Sequence, residues 1–354
     1  MKELNEKGYF ISYSYGEQLN AGSKAKNDCD QILRDSGYEP IKMKAPIGGI
    51  KKSLLSKIFW GFRLLIGYWK CLSMVPKNSI LIVQHPAVGV EFLNIITRLF
   101  PNIKIVSLIH DLETLRDAGW ITKSNKRAQI ADYKFLPKSY KIICHNQVMM
   151  SYLEEQGIDR DKLVNLEVFD YLEDNDFSQL DRGQYNRRVI IAGNLSPKKS
   201  GYIYSISKMN VNFELFGINC DEDRIQKPCH YNGAYSPNEL GKYLNSDFGL
   251  VWDGDSVATC SGATGNYTRY NNPHKASLYI ASGLPLIVWR EAAISEFVIK
   301  NNIGIVVDNI NQIESKLDGI TKSDYDLLKN NVIKMSEKVQ KGYFLKKALC
   351  SMEE

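Results

Sequence analysis

Tyr267-Thr-Arg-Tyr-Asn-Asn-Pro-His-Lys-Ala-Ser-Leu-Tyr-Ile-Ala-Ser-Gly-Leu-Pro-Leu-Ile-Val-Trp289 reads as a loop, a short helix and a buried strand. Pro273 suits the first helical turn, where its missing N–H costs nothing. Asn271 and Asn272 are placed to cap that turn. Arg269, His274 and Lys275 gather at the same end. A helix N-terminus carries partial positive charge, so one ringed by cations is an anion site that suits a diphosphate. The alternative is a surface helix whose basic residues are solvated. Ser282-Gly283 ends the helix. Leu284–Trp289 is a continuous apolar run of the kind buried on both faces of a parallel sheet.

The same alternation extends in both directions. Strands are expected at Arg188–Ala192, Phe213–Phe216, Phe248–Trp252 and Gly304–Val307, with helices at Gly201–Lys208, Pro237–Leu244 and Ala293–Asn301. Long amphipathic helices close the chain from about Ser323 to Leu349. The first half repeats the plan, with strands at Gly8–Ser14, Tyr38–Met43, Ser79–Gln84, Ile103–Ile109, Ile142–His145 and Leu163–Leu166. Helices at Lys24–Ser36, Glu91–Phe100, Ser124–Phe135 and Val148–Gln156 lie between them. Apolar strands alternating with helices indicate an α/β protein with doubly wound parallel sheets. A chain of 354 residues is long for one core, so two Rossmann-like domains are expected. They cover 1–169 and 187–340, joined by an acid-rich linker at 170–186, with 341–354 as a C-terminal helix that could cross back to the first domain. Ligands of such sheets bind beyond the carboxyl ends of the strands. The loops to watch in the first half are Tyr15–Ser23, His85–Gly89, His110–Gly119 and His145–Gln147.

The net charge of +5 is modest, and the seven cysteines lack CxxC spacing. Reduced thiols in a cytoplasmic protein are expected, and a zinc site is not. Met1–Lys7 is polar, unlike a signal peptide, and no uncharged run reaches the ~18 residues needed to span a bilayer. Between Pro40 and Val90 there is no acidic residue, while Lys42, Lys44, Lys51, Lys52, Lys57, Arg63, Lys70 and Lys77 are present. Leu54, Leu55, Ile58, Phe59, Phe62, Leu65, Ile66 and Trp69 recur there at helical spacing. Such a helix, over 51–70, either lies on an anionic membrane surface or packs on the sheet. An exposed apolar face on it would equally mark a contact in a homo-oligomer. Nucleic-acid binding is disfavoured, because the basic residues occupy one helix and one pocket without a recognisable motif.

Ile190-Ile191-Ala192-Gly193-Asn194-Leu195-Ser196-Pro197-Lys198-Lys199-Ser200-Gly201 is a strand, a glycine turn and a basic helix entry. Gly193 lets a ligand approach the backbone, and Lys198 and Lys199 can meet phosphate charge. The P-loop and GxGxxG patterns are absent, which counts against ATPase and dinucleotide readings. His110-Asp111 follows a strand, where either residue could serve as a general base; a carboxylate capping the next element is the plain alternative. Asp253 and Asp255 suggest a divalent metal, yet in a loop rich in Gly, Ser and Thr they are more often turn formers, so no metal is expected. Glu291 can accept hydrogen bonds from ribose or interact with a helix dipole. Tyr202, Tyr204, Tyr267 and Tyr270 can stack on a base or sugar.

Phe248-Gly249-Leu250-Val251-Trp252, Asn272-Pro273-His274-Lys275-Ala276-Ser277 and Ala281-Ser282-Gly283-Leu284-Pro285-Leu286-Ile287-Val288, together with Ile105–Asp111, resemble one bacterial family of GT-B glycosyltransferases. It includes glucosyltransferases that extend glycans on serine-rich-repeat adhesins and beta-1,6-galactofuranosyltransferases of surface polysaccharide assembly. The resemblance implies a GT-B fold, two domains facing a central cleft, and a UDP-sugar donor with no cofactor. It puts Lys275 and Tyr270 at the entry of the donor helix and His110-Asp111 on the acceptor-side loop. The segment Ser256–Tyr267 departs from the pattern and leaves open which residues there touch the donor sugar. Galactofuranose transfer to a lipid-linked glycan, inverting and metal-independent, is the expectation, in the cytoplasm and at the inner face of the membrane. A glucosyltransferase acting on a serine-rich glycoprotein, a UDP-sugar epimerase and a non-catalytic partner protein are the alternatives.

Overall fold

A computed structural model describes residues 8–13, 21–44, 53–116, 126–174, 185–207 and 209–352. Lys51, Lys52, loop residues 15–20, residues 117–125 and residues 175–184 of the expected linker lie outside the described residues. The chain divides into two compact units. Cys29–Leu166 lies in the first and Glu167–Leu345 in the second; Gln18–Asp28 groups with the second and Lys346–Glu354 with the first.

The first unit runs β1 (Gly8–Tyr13), α1 (Ala21–Asp35, of which the part from Cys29 belongs to this unit), β2 (Glu39–Met43), α2 (Leu54–Ser73), β3 (Ile80–His85), α3 (Val90–Ile96) and β4 (Lys104–Ile109). It continues through α4 (Glu113–Arg116), α5 (Lys126–Gln129), β5 (Lys141–Cys144), α6 (Gln147–Glu155) and β6 (Leu163–Asn165). The six strands form one sheet in the order β2-β1-β3-β4-β5-β6, every pairing parallel. Strand order reverses at β1/β3. The apolar run Ile80–Val83 makes β3 buried throughout, as an inner parallel strand requires. The helix expected over Glu91–Phe100 ends at Ile96 and tightens into a 3₁₀ turn, Thr97–Leu99. That expected to end at Phe135 passes from α5 into a π-helical turn, Ile130–Phe135.

Helix α2 is apolar on two sides. Leu64, Tyr68, Cys71 and Leu72 are buried in the core of this unit. Leu55, Ile58, Phe59, Phe62, Ile66 and Trp69 are exposed. The packing alternative therefore holds for one face of this helix, and the other face is exposed. No helix among the described residues is long and apolar enough to cross a membrane.

The second unit comprises β7 (Arg188–Asn194), α7 (Pro197–Ser200), β8 (Asn212–Ile218), β9 (Cys229–Tyr231), α8 (Pro237–Leu240), β10 (Phe248–Val251), α9 (Gly262–Tyr267) and α10 (His274–Ala281). Then come β11 (Leu286–Trp289), α11 (Ile294–Asn301), β12 (Gly304–Val307), α12 (Ile313–Asp318) and α13 (Lys322–Gln340), and α14 (Tyr343–Ser351) follows, grouping with the first unit from Lys346 onward. The sheet is again parallel and six-stranded, in the order β9-β8-β7-β10-β11-β12. This is the dinucleotide-fold order 3-2-1-4-5-6, with its switch point between β7 and β10.

Several expectations are corrected. Strand β9 is added; three residues are too few for a periodicity to register. The helix expected over Gly201–Lys208 is instead α7 followed by a 3₁₀ turn, Gly201–Tyr204. The segment Ser256–Tyr267 contains α9. The helices expected from about Ser323 to Leu349 are present as α13 and α14, parted at Gly342, whose φ of 72° suits glycine.

Candidate functional site

The loops beyond β7 and β10 meet at the switch point of the second sheet. Gly254 N donates to the Lys199 carbonyl at 2.8 Å, and Ser200 pairs with Gly254 in an isolated parallel bridge. Gly193 opens the first loop with φ 134°, and nothing lies within 4 Å of where a Cβ would stand. Gly254 is required for the opposite reason: a Cβ there would lie 2.3 Å from the Ser261 carbonyl oxygen. One glycine leaves room for a ligand, the other for the protein's own chain. Lys198 and Lys199 stand on α7, exposed and half-buried respectively. The Asn194 side chain accepts from Ser196 N at 3.0 Å and from Asn219 at 3.2 Å, closing the turn.

Lys275 lies in the first turn of α10. Its Nζ donates to the Trp252 carbonyl at 2.9 Å and to Asp253 Oδ1 at 2.8 Å. The side chains are only 11% and 9% exposed, so this ion pair is nearly buried. Two of the three ammonium protons are thereby used to fix the charge beyond the carboxyl end of β10. Helix α10 is itself seated by Tyr279, whose buried hydroxyl accepts the Ala192 N–H of β7 at 2.7 Å. Gly249 of β10 makes space for that ring, because a Cβ there would lie 2.3 Å from it. Tyr279 was not singled out from the sequence; a tyrosine within an apolar helix, and a glycine in the strand before it, were the available signals.

The capping expectation is corrected. Pro273 is the N-cap (φ −63°, ψ 136°), not a first-turn residue, and no side chain caps α10. The proline carbonyl accepts from Ala276 N at 2.9 Å, while the Asn272 amide donates to the Glu167 carbonyl. Arg269 and Glu291, expected on diphosphate and ribose, form an ion pair with each other. The Arg269 guanidinium also lies 4.4 Å from the Trp289 ring centroid. His274 packs its ring against Tyr171 at 5.1 Å and Phe169 at 6.1 Å. Tyr267 is buried and Tyr270 half-buried.

In the first unit, His110 follows β4 and is half-buried. Its Nε2 lies 2.6 Å from Gln84 Oε1, at the end of β3. Gln84 Nε2 in turn donates to Asp30 Oδ1 at 2.5 Å, and Ser12 Oγ to Asp30 Oδ2 at 2.5 Å. This chain joins the ends of β1, β3 and β4 with α1, at the first sheet's switch point. With its amide nitrogen given to Asp30, Gln84 turns its oxygen to the His110 ring and holds the imidazole in place. Asp111 instead accepts from Arg116 at 2.7 Å. Buried Asp132, on the π-helical turn, joins His85 at 2.9 Å to the backbone and hydroxyl of Thr114, each at 2.7 Å. That contact fastens α4 to the end of β3. Gln84, Asp30 and Asp132 were missed: each is a polar residue in an otherwise structural segment.

Two doubly wound parallel sheets and the likeness to solved structures give the GT-B fold, and the curated relatives make the chain a glycosyltransferase. The chain belongs to the glucosyltransferase 3-like family, whose N-terminal domain matches residues 8–168 and whose C-terminal domain matches residues 189–352. It is 32% identical over 345 residues to the beta-1,6-galactofuranosyltransferase WbbI of Escherichia coli (strain K12), covering 96% of this chain and 97% of that protein. It is 24% identical over 332 residues to Glucosyltransferase 3 of Streptococcus gordonii, covering 92% of each. Among solved structures, sucrose-phosphate synthase from Thermosynechococcus elongatus superposes with a TM-score of 0.66 at 10% identity, over 98% of this chain and 99% of that one.

Proposed function

We propose that this enzyme transfers galactofuranose from a UDP-sugar to a membrane-borne glycan of a bacterial surface polysaccharide, inverting the anomeric carbon without a metal ion. The observation that carries the donor assignment is the buried Lys275–Asp253 pair at the β7/β10 switch point. It holds a cation where a departing diphosphate would gather charge, and Lys198 and Lys199 on α7 add to it. Such preorganised charge lowers the barrier because it need not reorganise during reaction. Asp253 is not a metal ligand in this reading, because its Oδ1 already serves Lys275.

His110 is the proposed base. The acceptor hydroxyl oxygen bonds to the anomeric carbon, its proton passes to the His110 imidazole, and the bond from that carbon to the UDP oxygen breaks with its electrons leaving on UDP. Asp111 is the weaker candidate, since Arg116 holds its carboxylate. The acceptor is assigned to a membrane because of α2, whose exposed stripe is flanked by Arg63 and Lys70. A second copy of the chain fits that face less well, because α2 itself carries cations and no acid, so α2 meeting α2 across a two-fold axis would bring like charges together.

Galactofuranose is favoured by the higher identity to WbbI. Glucose is the second reading, supported by the glucosyltransferase 3-like family match. Calorimetric titration with UDP, UDP-galactofuranose, UDP-galactopyranose and UDP-glucose, EDTA present throughout, separates them. Tighter binding of UDP-galactofuranose than of the other two sugars is expected. Preference for UDP-glucose would establish the second reading, and no UDP binding by folded protein would remove both.

A further inference from the structure

A cavity of about 380 Å³ opens where β4 and β5 begin, and four cationic residues line it. Arg98, Lys104, Lys138 and Lys162 line it, over a wall that includes Phe100 and Phe135, and no Asp or Glu lies among the lining residues. Lys138 donates to Asn94 Oδ1 at 2.6 Å and Lys162 to the Pro137 carbonyl at 3.0 Å. Neutral acceptors thus hold two ammonium groups in place without cancelling their charge. The Lys104 ammonium lies 5.3 Å from the Tyr140 ring centroid. Partial burial, with the charges of Arg98 and Lys134 nearby, pushes Lys138 below the usual lysine range. Like charges gathered this way repel, and an anion between them would turn that cost into attraction.

We propose that this cavity binds a phosphate group. One guanidinium-bearing and three ammonium-bearing residues among the lining suit phosphate oxygens, and the volume admits a small phosphorylated ligand. The cavity is separate from the proposed chemistry. Lys104 begins β4 and His110 follows its end, so at about 3.3 Å per residue the two backbones lie roughly 20 Å apart. A ligand here would anchor or regulate the enzyme and would not be its sugar donor. The phosphate could belong to a lipid headgroup or to a soluble metabolite.

The test uses the full chain with inorganic phosphate as the probe. Phosphate should raise Tm saturably, and Arg98→Gln/Lys138→Gln should weaken the apparent affinity by roughly tenfold or more, with UDP binding unchanged. Should the double variant unfold early, Lys162→Gln supplies the same comparison. Both proteins are then sedimented with phosphatidylcholine vesicles containing phosphatidic acid, α2 being intact in each. Loss of sedimentation in the variant assigns the phosphate to a lipid headgroup; retained sedimentation with lost phosphate binding assigns it to a soluble ligand. An absent phosphate response, or an equal response in wild type and variant, overturns the proposal.

Discussion

Lys275 and Asp253 cannot be judged one at a time. Removing the lysine leaves a nearly buried carboxylate without its partner, which can cost about 3–5 kcal/mol of stability. A loss of activity in Lys275→Ala would then mix folding with catalysis. Lys275→Met/Asp253→Asn removes both charges and should retain the fold, while kcat falls about 100-fold or more if Lys275 stabilises the leaving UDP. Wild-type kcat in that variant would remove the donor assignment. His110→Ala should lower kcat by roughly 10²–10⁴-fold, the ordinary worth of a general base. Asp111→Asn should have a much smaller effect, and the reverse ranking would return the base role to Asp111. His145 permits a test of the fold by pH. Burial pushes its imidazole down to about 4, and its ring lies 3.0 Å from the Ile109 carbonyl. Unfolded, it titrates near 6.5. Between these values the unfolded chain binds a proton that the folded chain does not, so stability from this group rises with pH. Asp28, pushed up to about 6, works in the opposite sense. Subtracting the curve of His145→Gln isolates the histidine: the wild-type advantage should grow by ~3 kcal/mol between pH 4 and 7, measured by urea unfolding.

Helix α10 connects the residue scale to the sheet. Tyr279 joins it to β7 through Ala192 N, and the ring lies against Gly249 of β10. The helix that carries Lys275 is thus fixed to both strands of the switch point. Tyr279→Phe leaves the Ala192 N–H buried without this acceptor, a loss of about 1–3 kcal/mol. The urea midpoint should drop with an unchanged slope, and UDP affinity should weaken as α10 loosens; an unaltered midpoint would show that the bond does not seat the helix. Elements of this kind were readable in unequal degree. Ile80–Val83 and Leu286–Trp289 are apolar throughout, so their strand character is local. Strand β9 exists because it completes an edge of the sheet, which no three residues can announce. Lys275 was legible because its charge stands beside Pro273, whereas its anchoring to Asp253 joins positions 22 residues apart. Gln84 and Asp30 are 54 residues apart and meet only once the parallel order is formed.

At the scale of the whole molecule, α2 is the feature that folding leaves unsatisfied. Leu55 is 79% exposed and Phe62 63%, on a stripe whose members recur every three or four residues and therefore share one face. Monomeric proteins seldom leave contiguous apolar surface of this kind uncovered. Arg63 lies over the Phe59 and Trp60 rings at 5.5 and 5.2 Å, a position from which its charge can reach lipid phosphates while its stem stays on apolar surface. Burying a large apolar side chain contributes about 1.5–3 kcal/mol. Phe62→Ser/Trp69→Ser should therefore weaken binding to anionic vesicles roughly 100-fold or more, while leaving the unfolding midpoint unchanged, because neither ring is part of the core. Ionic strength gives a second handle: at 1 M salt the screening length shrinks to about 3 Å, so the Arg63 and Lys70 contribution should fade in wild type while the apolar contribution remains. If the double variant binds vesicles like wild type but sediments as a smaller species, the stripe is a contact between copies, and the assignment of the acceptor to a membrane loses its structural support.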